Sequence, residues 1–385
     1  MTDPPHSQSP STPGRATALF VGAFAPGSHG TRGISEDLAL RLATYGWNIL
    51  LTSRRTSRFT RLMDMMGTCW RERRRYEVAA VDVYSGSAFV WAEAVCRLLR
   101  VLGKPYSLTL HGGNLPTFAC ARSKRVSNLL ASAAVVTAPS RYLQEQMRPY
   151  RENIRLVPNG IDIGRYPFQL RRGAPARIMW LRAFHDTYHP ELAIQVLARL
   201  ASEFPDVRLT MIGPDKRDGS RERTEAEAQR LGIADRLTIT GSVPKAEVSE
   251  KLGAADIFLN TSRTDNTPVS VIEAMARGLC VVSTNVGGIP YLLQDEHNAL
   301  LVPAGDDSTM AAAVRRILTR PDLAEKLSSN ARRDAEQFDW SCVLPRWNSL
   351  LRSIAQPGQL IPPPGHTEEQ SNSREFQAAD RTLKS

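Results

Sequence analysis

Two carboxylates, Asp265 and Glu273, stand eight residues apart in the segment TDNTPVSVIEAMARGLCVVSTNVGGIP, residues 264–290. Between them, Thr267 has the side chain of an N-cap and Pro268 suits the first helical position. The free N–H groups of Val269, Ser270 and Val271 would then face a cleft. With the helix dipole they would make a site for an anion such as a diphosphate. Val271, Ile272 and Met275 form one buried stripe, and Ser270, Glu273 and Arg277 share another face. Glu273 has an ordinary alternative, a solvated side chain paired with Arg277 one turn on.

Three further segments carry chemistry. In LTLHGGN (108–114), His111 directly follows an apolar strand and precedes two glycines. Its place at a strand's carboxyl end points toward a site; a structural histidine is the alternative. In WLRAFHDTYHP (180–190), Arg182 ends a strand, where a guanidinium can pair with phosphate oxygens. The alternative is a solvated loop arginine. His185, Tyr188 and His189 stand beside it, with no third ligand at metal-binding spacing. In GSHGTRG (27–33), Gly30 and Gly33 would let backbone amides approach a ligand at a helix start. The spacing is G-x-x-G-x-x-G, not the dinucleotide fingerprint, and a plain strand-to-helix turn fits as well. Ser53, Arg54 and Arg55 stand where a ribose-binding acid would be, so an NADP dehydrogenase has only the arginines in its favour.

These segments lie on alternating elements. Thr17–Ala23, Trp47–Thr52, Val78–Val83, Tyr106–Leu110 and Ala134–Ala138 read as strands, with a helix over Ile34–Tyr45. After LVPNGID (156–162) the alternation restarts, with strands at Ile178–Leu181, Arg208–Ile212, Leu237–Thr240, Ile257–Asn260 and Val281–Thr284. Helices fall between them at Pro190–Glu203, Arg223–Leu231, Lys245–Ala254 and Pro268–Arg277. The fold class is α/β, with two doubly wound Rossmann-like sheets facing a central cleft. The divisions are a disordered tail over 1–15, a first Rossmann-like domain over 16–158 and a second Rossmann-like domain over 159–338. A C-terminal helix over 339–355 packs back on the first domain, and a second disordered tail covers 356–385.

Composition sets the outer limits. The chain has 385 residues, 42% hydrophobic and 23% charged, with a net charge of +10. That is ordinary globular composition with room for two domains, and its basic balance suits phosphates or an anionic membrane. The positive residues do not follow an RNA or DNA motif, so no nucleic acid is expected. Five scattered cysteines without CxxC spacing fit a reducing cytosol and argue against a zinc site. No signal peptide or spanning run is visible; 79–101 comes nearest but carries Asp82, Glu93 and Arg97. The sequon at Asn260–Ser262 falls at the end of an expected core strand.

Taken in order, the glycine loop after strand one, HGG at 111–113, the hinge VPNGID, and D-x7-E followed by AMARGLCVVSTNVGG carry a family resemblance. The chain resembles a family 4 glycosyltransferase of the two-domain GT-B fold over 16–354, which implies an acceptor-side domain over 16–158 and a nucleotide-sugar-binding domain over 159–338. The resemblance implies that Glu273 holds the nucleotide ribose and that Asp265 addresses the donor sugar. It implies that the amides around Asn266, Thr267 and Val269 meet sugar and diphosphate, and that Arg182 neutralises the diphosphate. His111 would stand beside the donor sugar, Gly30 and Gly33 would form the loop that admits diphosphate and acceptor, and Gly241 and Val243 in GSVP would contact the base. Two departures stand out. Asp265 is one methylene shorter than the family's usual Glu, and the lysine that usually follows the arginine is missing, with no lysine before Lys216.

The resemblance implies transfer of a sugar from a UDP-, GDP- or ADP-sugar to a glycan or lipid-linked acceptor, with retention, in cell-surface polysaccharide or glycolipid synthesis. No cofactor and no metal are expected. The location would be the cytoplasm, peripheral at the inner face of the membrane. There, residues 54–75, with eight arginines against two acids and interleaved Phe59, Leu62, Met63, Met65 and Met66, form a basic amphipathic segment. A solvated surface helix is the alternative for that segment. Alternatives for the whole chain are a non-catalytic carbohydrate-binding or scaffold protein of the same fold, and a sugar-nucleotide epimerase.

Overall fold

The computed structural model describes residues 15–24, 33–173 and 176–356. Gly30, most of the glycine loop, and both tails except Arg15 and Gln356 lie outside these residues.

Among the described residues, twelve strands form two six-stranded sheets, and every strand pairing is parallel. The first sheet holds β1 (Thr17–Val21), β2 (Asn48–Thr52), β3 (Val78–Val83), β4 (Tyr106–Leu110), β5 (Val135–Ala138) and β6 (Ile154–Leu156). The second holds β7 (Arg177–Leu181), β8 (Arg208–Ile212), β9 (Leu237–Gly241), β10 (Ile257–Asn260), β11 (Cys280–Thr284) and β12 (Ala299–Val302). Helices cover both faces, so the central strands are buried throughout and read as apolar runs rather than alternating ones. Each sheet therefore has a core on either face.

The strand orders place the ligand positions. The first sheet runs β2-β1-β3-β4-β5-β6 and the second β12-β11-β10-β7-β8-β9. The order reverses between β1 and β3 in one and between β7 and β10 in the other. Loops leave in opposite directions at such switch points and open a crevice beyond the carboxyl ends.

The chain crosses between the sheets twice, side by side. The Ile161 amide donates to the Phe338 carbonyl at 2.8 Å, and the Trp340 amide donates back to Ile161 at 3.1 Å. The helix Trp340–Ala355 then lies on the first sheet, where Val343, Trp347 and Leu351 pack with Phe20, Leu42 and Trp47. Trp47 Nε1 donates to Asn348 at 2.9 Å.

The strand-and-helix alternation emerges as read, with ends shifted by up to three residues. The basic segment 54–75 forms the helix Arg58–Arg71, and the elements not anticipated include the edge strands β6 and β12, of three and four residues, and the helices Ser87–Val101 and Asp307–Thr319. The apolar stretch 79–101 divides between β3 and the Ser87–Val101 helix. Among the described residues no helix is long and apolar enough to cross a membrane.

Candidate active site

A cleft of about 840 Å³ opens between the two sheets at their carboxyl edges. His111, Gly113 and Asn159 line it from one side, and Arg182, Asp265, Asn266, Thr267 and Val269 from the other. Parallel strands bring these loops together because every carboxyl end of a sheet lies along one edge.

Arg182 follows β7, and its amide donates to Ile212 at 3.0 Å. Gly213, at φ +153°, packs so closely that a Cβ there would fall 1.7 Å from the Arg182 carbonyl oxygen. The guanidinium is held from two sides. Its Nη2 pairs with Asp265 Oδ2, and the Tyr188 ring lies 4.2 Å from its Cζ. Arg182 Nε is buried and has no hydrogen-bond partner.

Asp265 is one-tenth exposed and is fixed by its own loop. It accepts from Ser262 Oγ at 3.1 Å and from the Asn266 amide at 2.9 Å. The loop rests on the glycine pair that closes the 264–290 segment: the Gly288 amide donates to the Asp265 carbonyl at 2.9 Å. Across the cleft, Ser140 Oγ donates to Asn266 Oδ1.

The helix start differs from expectation. The helix runs Val269–Arg277 with Pro268 as its N-cap. Thr267 is therefore not the cap, and its Oγ1 is buried without a partner, as is Ser270 Oγ. The Val271 amide is not free either, because it donates to the Pro268 carbonyl at 3.1 Å in a tightened first turn. The Val269 and Ser270 amides remain at the helix's positive end beside the cleft.

Glu273 is 3% exposed. Tyr166 donates to its Oε1 at 2.8 Å, and Lys245 Nζ pairs with the same oxygen. Burial first, and then the Glu273 charge, push the Tyr166 hydroxyl pKa up, so it remains a donor. The alternative pairing with Arg277 does not form: that side chain donates to the Ser249 and Pro167 carbonyls instead. Glu273 and Lys245 line a second cavity of about 110 Å³, which shares Ile34 and Val269 with the main cleft. The two make one trench from His111 to Glu273.

His111 follows β4, with its amide bonded to Val83 at 2.9 Å. Its Nε2 meets Asp82 Oδ1 at 2.9 Å, and Tyr84 stacks on the ring at 4.8 Å.

Two consecutive family models match the chain. Glycosyltransferase Family 4 covers residues 24–165, and Glycosyl transferases group 1 covers 166–334. This chain belongs to the family 4 glycosyltransferases.

Similar proteins include a D-inositol 3-phosphate glycosyltransferase of Segniliparus rotundus, 25% identical over 221 residues, which are 55% of this chain and 49% of that protein. One of Mycobacteroides abscessus is 33% identical over 176 residues, 45% of this chain and 39% of that protein. The matched stretch thus spans about half the length of the curated relatives. Among solved structures, sucrose-phosphate synthase of Thermosynechococcus elongatus superposes with a TM-score of 0.75 at 19% identity, covering 88% of this chain and 99% of that one. Anabaena HepE, determined in complex with UDP and glucose, gives a TM-score of 0.70 at 17% identity, over 88% and 100%. These likenesses show the shared GT-B fold.

In this family member, the two departures acquire a structural setting. Asp265 takes up Arg182, and the region of the missing lysine holds Tyr188, which stacks on that arginine. Lys216, beyond β8, lines the cleft that Arg182 borders. It escapes a sequence reading because it lies on the next strand's loop. Lys245 and Tyr166 were missed for the same reason, since only folding brings them to Glu273. Gly33 stands as N-cap of the Ile34–Leu42 helix. Gly241 ends β9 at φ +70°, and its carbonyl accepts from Gly213 at 2.9 Å. Val243 packs against the second domain's core. Neither Gly241 nor Val243 borders the two cavities; Lys245, Ala246 and Ser249 do so from that region. Burial and the Arg263 charge lower the His189 pKa, which favours the neutral ring. Among the described residues no group of three or more ligating side chains could hold a metal ion.

Proposed function

We propose that the protein transfers a sugar from a nucleotide-sugar to an acceptor hydroxyl with retention of configuration. One observation carries this reading. Arg182 Nε, Thr267 Oγ1 and Ser270 Oγ are buried at the cleft wall without partners, around a helix N-terminus. Buried polar groups are nearly always satisfied, so such a set implies a polar ligand in the working state. A diphosphate seated on the Val269 and Ser270 amides supplies acceptor oxygens that these three groups reach once their side chains turn into the cleft.

The chemistry follows from the leaving group. As the glycosidic bond breaks, negative charge grows on the diphosphate. Donors already in place stabilise that charge without reorganising. Arg182 can bond a phosphate oxygen through Nε while Asp265 keeps hold of Nη2. Lys216 supplies the second cation in place of the missing lysine. Glu273, with its second carboxylate oxygen, accepts from the ribose hydroxyls, and Lys245 adds positive charge beside the nucleotide. The acceptor enters on the side of the first sheet, and its hydroxyl proton passes to the departing phosphate on the same face. The donor is a UDP-, GDP- or ADP-sugar; the complexes of HepE with UDP and glucose support a nucleotide-sugar of this kind.

The acceptor is a glycan or a lipid-linked sugar at the inner face of an anionic membrane. Phe59, Met63 and Trp70 are exposed at 73%, 57% and 53%. They fall on one face of the Arg58–Arg71 helix, with Arg54, Arg55, Arg58, Arg74 and Arg75 exposed around them. Such a stripe suits insertion between headgroups.

The test is a thermal-shift screen of UDP-, GDP- and ADP-sugars. A donor at 100 times its Kd adds about 2.7 kcal/mol to stability, a shift of several degrees. If none of the three classes shifts the melting point, the donor site is wrongly assigned. Flotation with vesicles tests the membrane contact: binding indifferent to anionic lipid content removes it.

A further inference from the structure

We propose that Asp82 is a positioning residue that sets the tautomer and orientation of His111 for sugar transfer. The proposal rests on the glycosyl-transfer reading for its kinetic consequence, but its structural core stands apart from it. Asp82 lies in β3, at the first sheet's switch point, and His111 directly follows β4. The two strands are neighbours in register, with Asp82 opposite Thr109. Both side chains are about nine-tenths buried, at 12% and 11% exposure.

Asp82 Oδ1 meets His111 Nε2 at 2.9 Å and also accepts from Ser35 Oγ at 3.0 Å. An ionised carboxylate accepts only, so the proton of this contact sits on Nε2. The hydrogen bond made by one ring nitrogen decides what the other presents. In the neutral ring, Nδ1 therefore carries a lone pair, and no hydrogen bond is recorded to it among the described residues. Tyr84 stacks on the ring with planes 15° apart, which restricts rotation about the pair. His111 and Tyr84 both line the main cleft. His111 Nδ1 thus accepts a hydrogen bond from a sugar hydroxyl held there, and Asp82 holds it in that state without touching substrate.

The experiment uses the full chain labelled with ¹⁵N-histidine, seven residues in all. The His111 signals are identified by their loss in His111→Gln. Long-range ¹H–¹⁵N spectra are recorded for the wild type, Asp82→Asn and Asp82→Ala. The wild type is expected to carry the Nε2–H tautomer. Asp82→Asn can turn its amide to donate to Nε2 and so favours the Nδ1–H tautomer, and Asp82→Ala gives a mixture. With the donor found by thermal shift, Asp82→Ala is expected to lower kcat by about 10–100-fold, with donor KM within about 3-fold. Asp82→Asn does not recover the loss, because it favours the other tautomer. The double variant Asp82→Ala/His111→Ala is no slower than His111→Ala, because the two residues act as one unit.

A wild-type His111 spectrum in folded Asp82→Ala overturns the proposal, as do additive losses in the double variant. If the wild type transfers no sugar, the functional reading fails while the spectra still decide the role of Asp82.

Discussion

Replacing Gly288 with alanine is expected to disable donor use by moving the loop that carries Asp265 and Asn266. A Cβ at Gly288 would lie 2.1 Å from the Asn266 carbonyl oxygen and 2.8 Å from its carbonyl carbon. Both are backbone atoms, so no side chain can turn aside. Ordinary contact begins near 3.4 Å, so the loop must retreat by about 1 Å in a close-packed interior. Overpacking of this kind costs about 1–3 kcal/mol. The functional cost is larger, because a displacement of about 1 Å in a reacting constellation can lower the rate by about 100-fold. The salt bridge from Asp265 to Arg182 moves with the loop, so donor binding suffers as well. The assay is kcat/KM for the nucleotide-sugar, paired with the melting temperature. Gly67→Ala is the control: it has nothing within 4 Å of its Cβ and lies inside a helix, so it should be neutral or stabilising by up to about 1 kcal/mol. A folded Gly288→Ala protein with kcat/KM within about 3-fold of wild type would refute the reasoning.

Three further outcomes are expected. Lys216→Ala should weaken nucleotide-sugar binding by about 10–100-fold, the loss of one hydrogen bond to a charged group, while leaving uridine, guanosine or adenosine binding unchanged by calorimetry; equal loss for nucleoside and nucleotide would place Lys216 elsewhere. Glu273→Gln keeps the shape but loses the charge, so nucleoside affinity should fall by about 10–100-fold, and unchanged affinity would remove Glu273 from the ribose site. Burial by itself raises the Asp339 pKa, but hydrogen bonds from Ser341 and the Ile163 amide, with the Arg41 charge, outweigh it and hold the carboxyl below its ordinary value. A depressed folded pKa contributes stability above the ordinary aspartate range, lost as pH falls below about 4; Asp339→Asn should flatten that acid limb, and an unchanged limb in denaturant melts would count against it.

Much of this protein is legible in one dimension. Apolar runs separated by helical periods imply parallel sheets, because a strand covered on both faces has no polar side to show. The restart after VPNGID marks the second sheet, and D-x7-E around a helix start marks the trench between Asp265 and Glu273. The local rule puts Thr267 at the cap and Pro268 at the first helical position, yet the helix begins one residue later with Pro268 at the cap, a shift that only the backbone geometry decides. The resemblance implies base contacts for Gly241 and Val243, while the cavity near Glu273 is bordered from that region by Lys245, Ala246 and Ser249.

The partners of each site residue belong to the tertiary structure. Tyr166 reaches Glu273 across 107 residues and Arg182 reaches Asp265 across 83. The Asp82–His111 pair, Lys216 beside Arg182, and the Gly288 seat under Asn266 are equally invisible in local pattern. Hydrophobic periodicity is a property of neighbours in sequence, so it survives in the chain and determines elements and their order. Charge pairing and close backbone approach depend on which strand ends share an edge, and the order of strands across each sheet decides that.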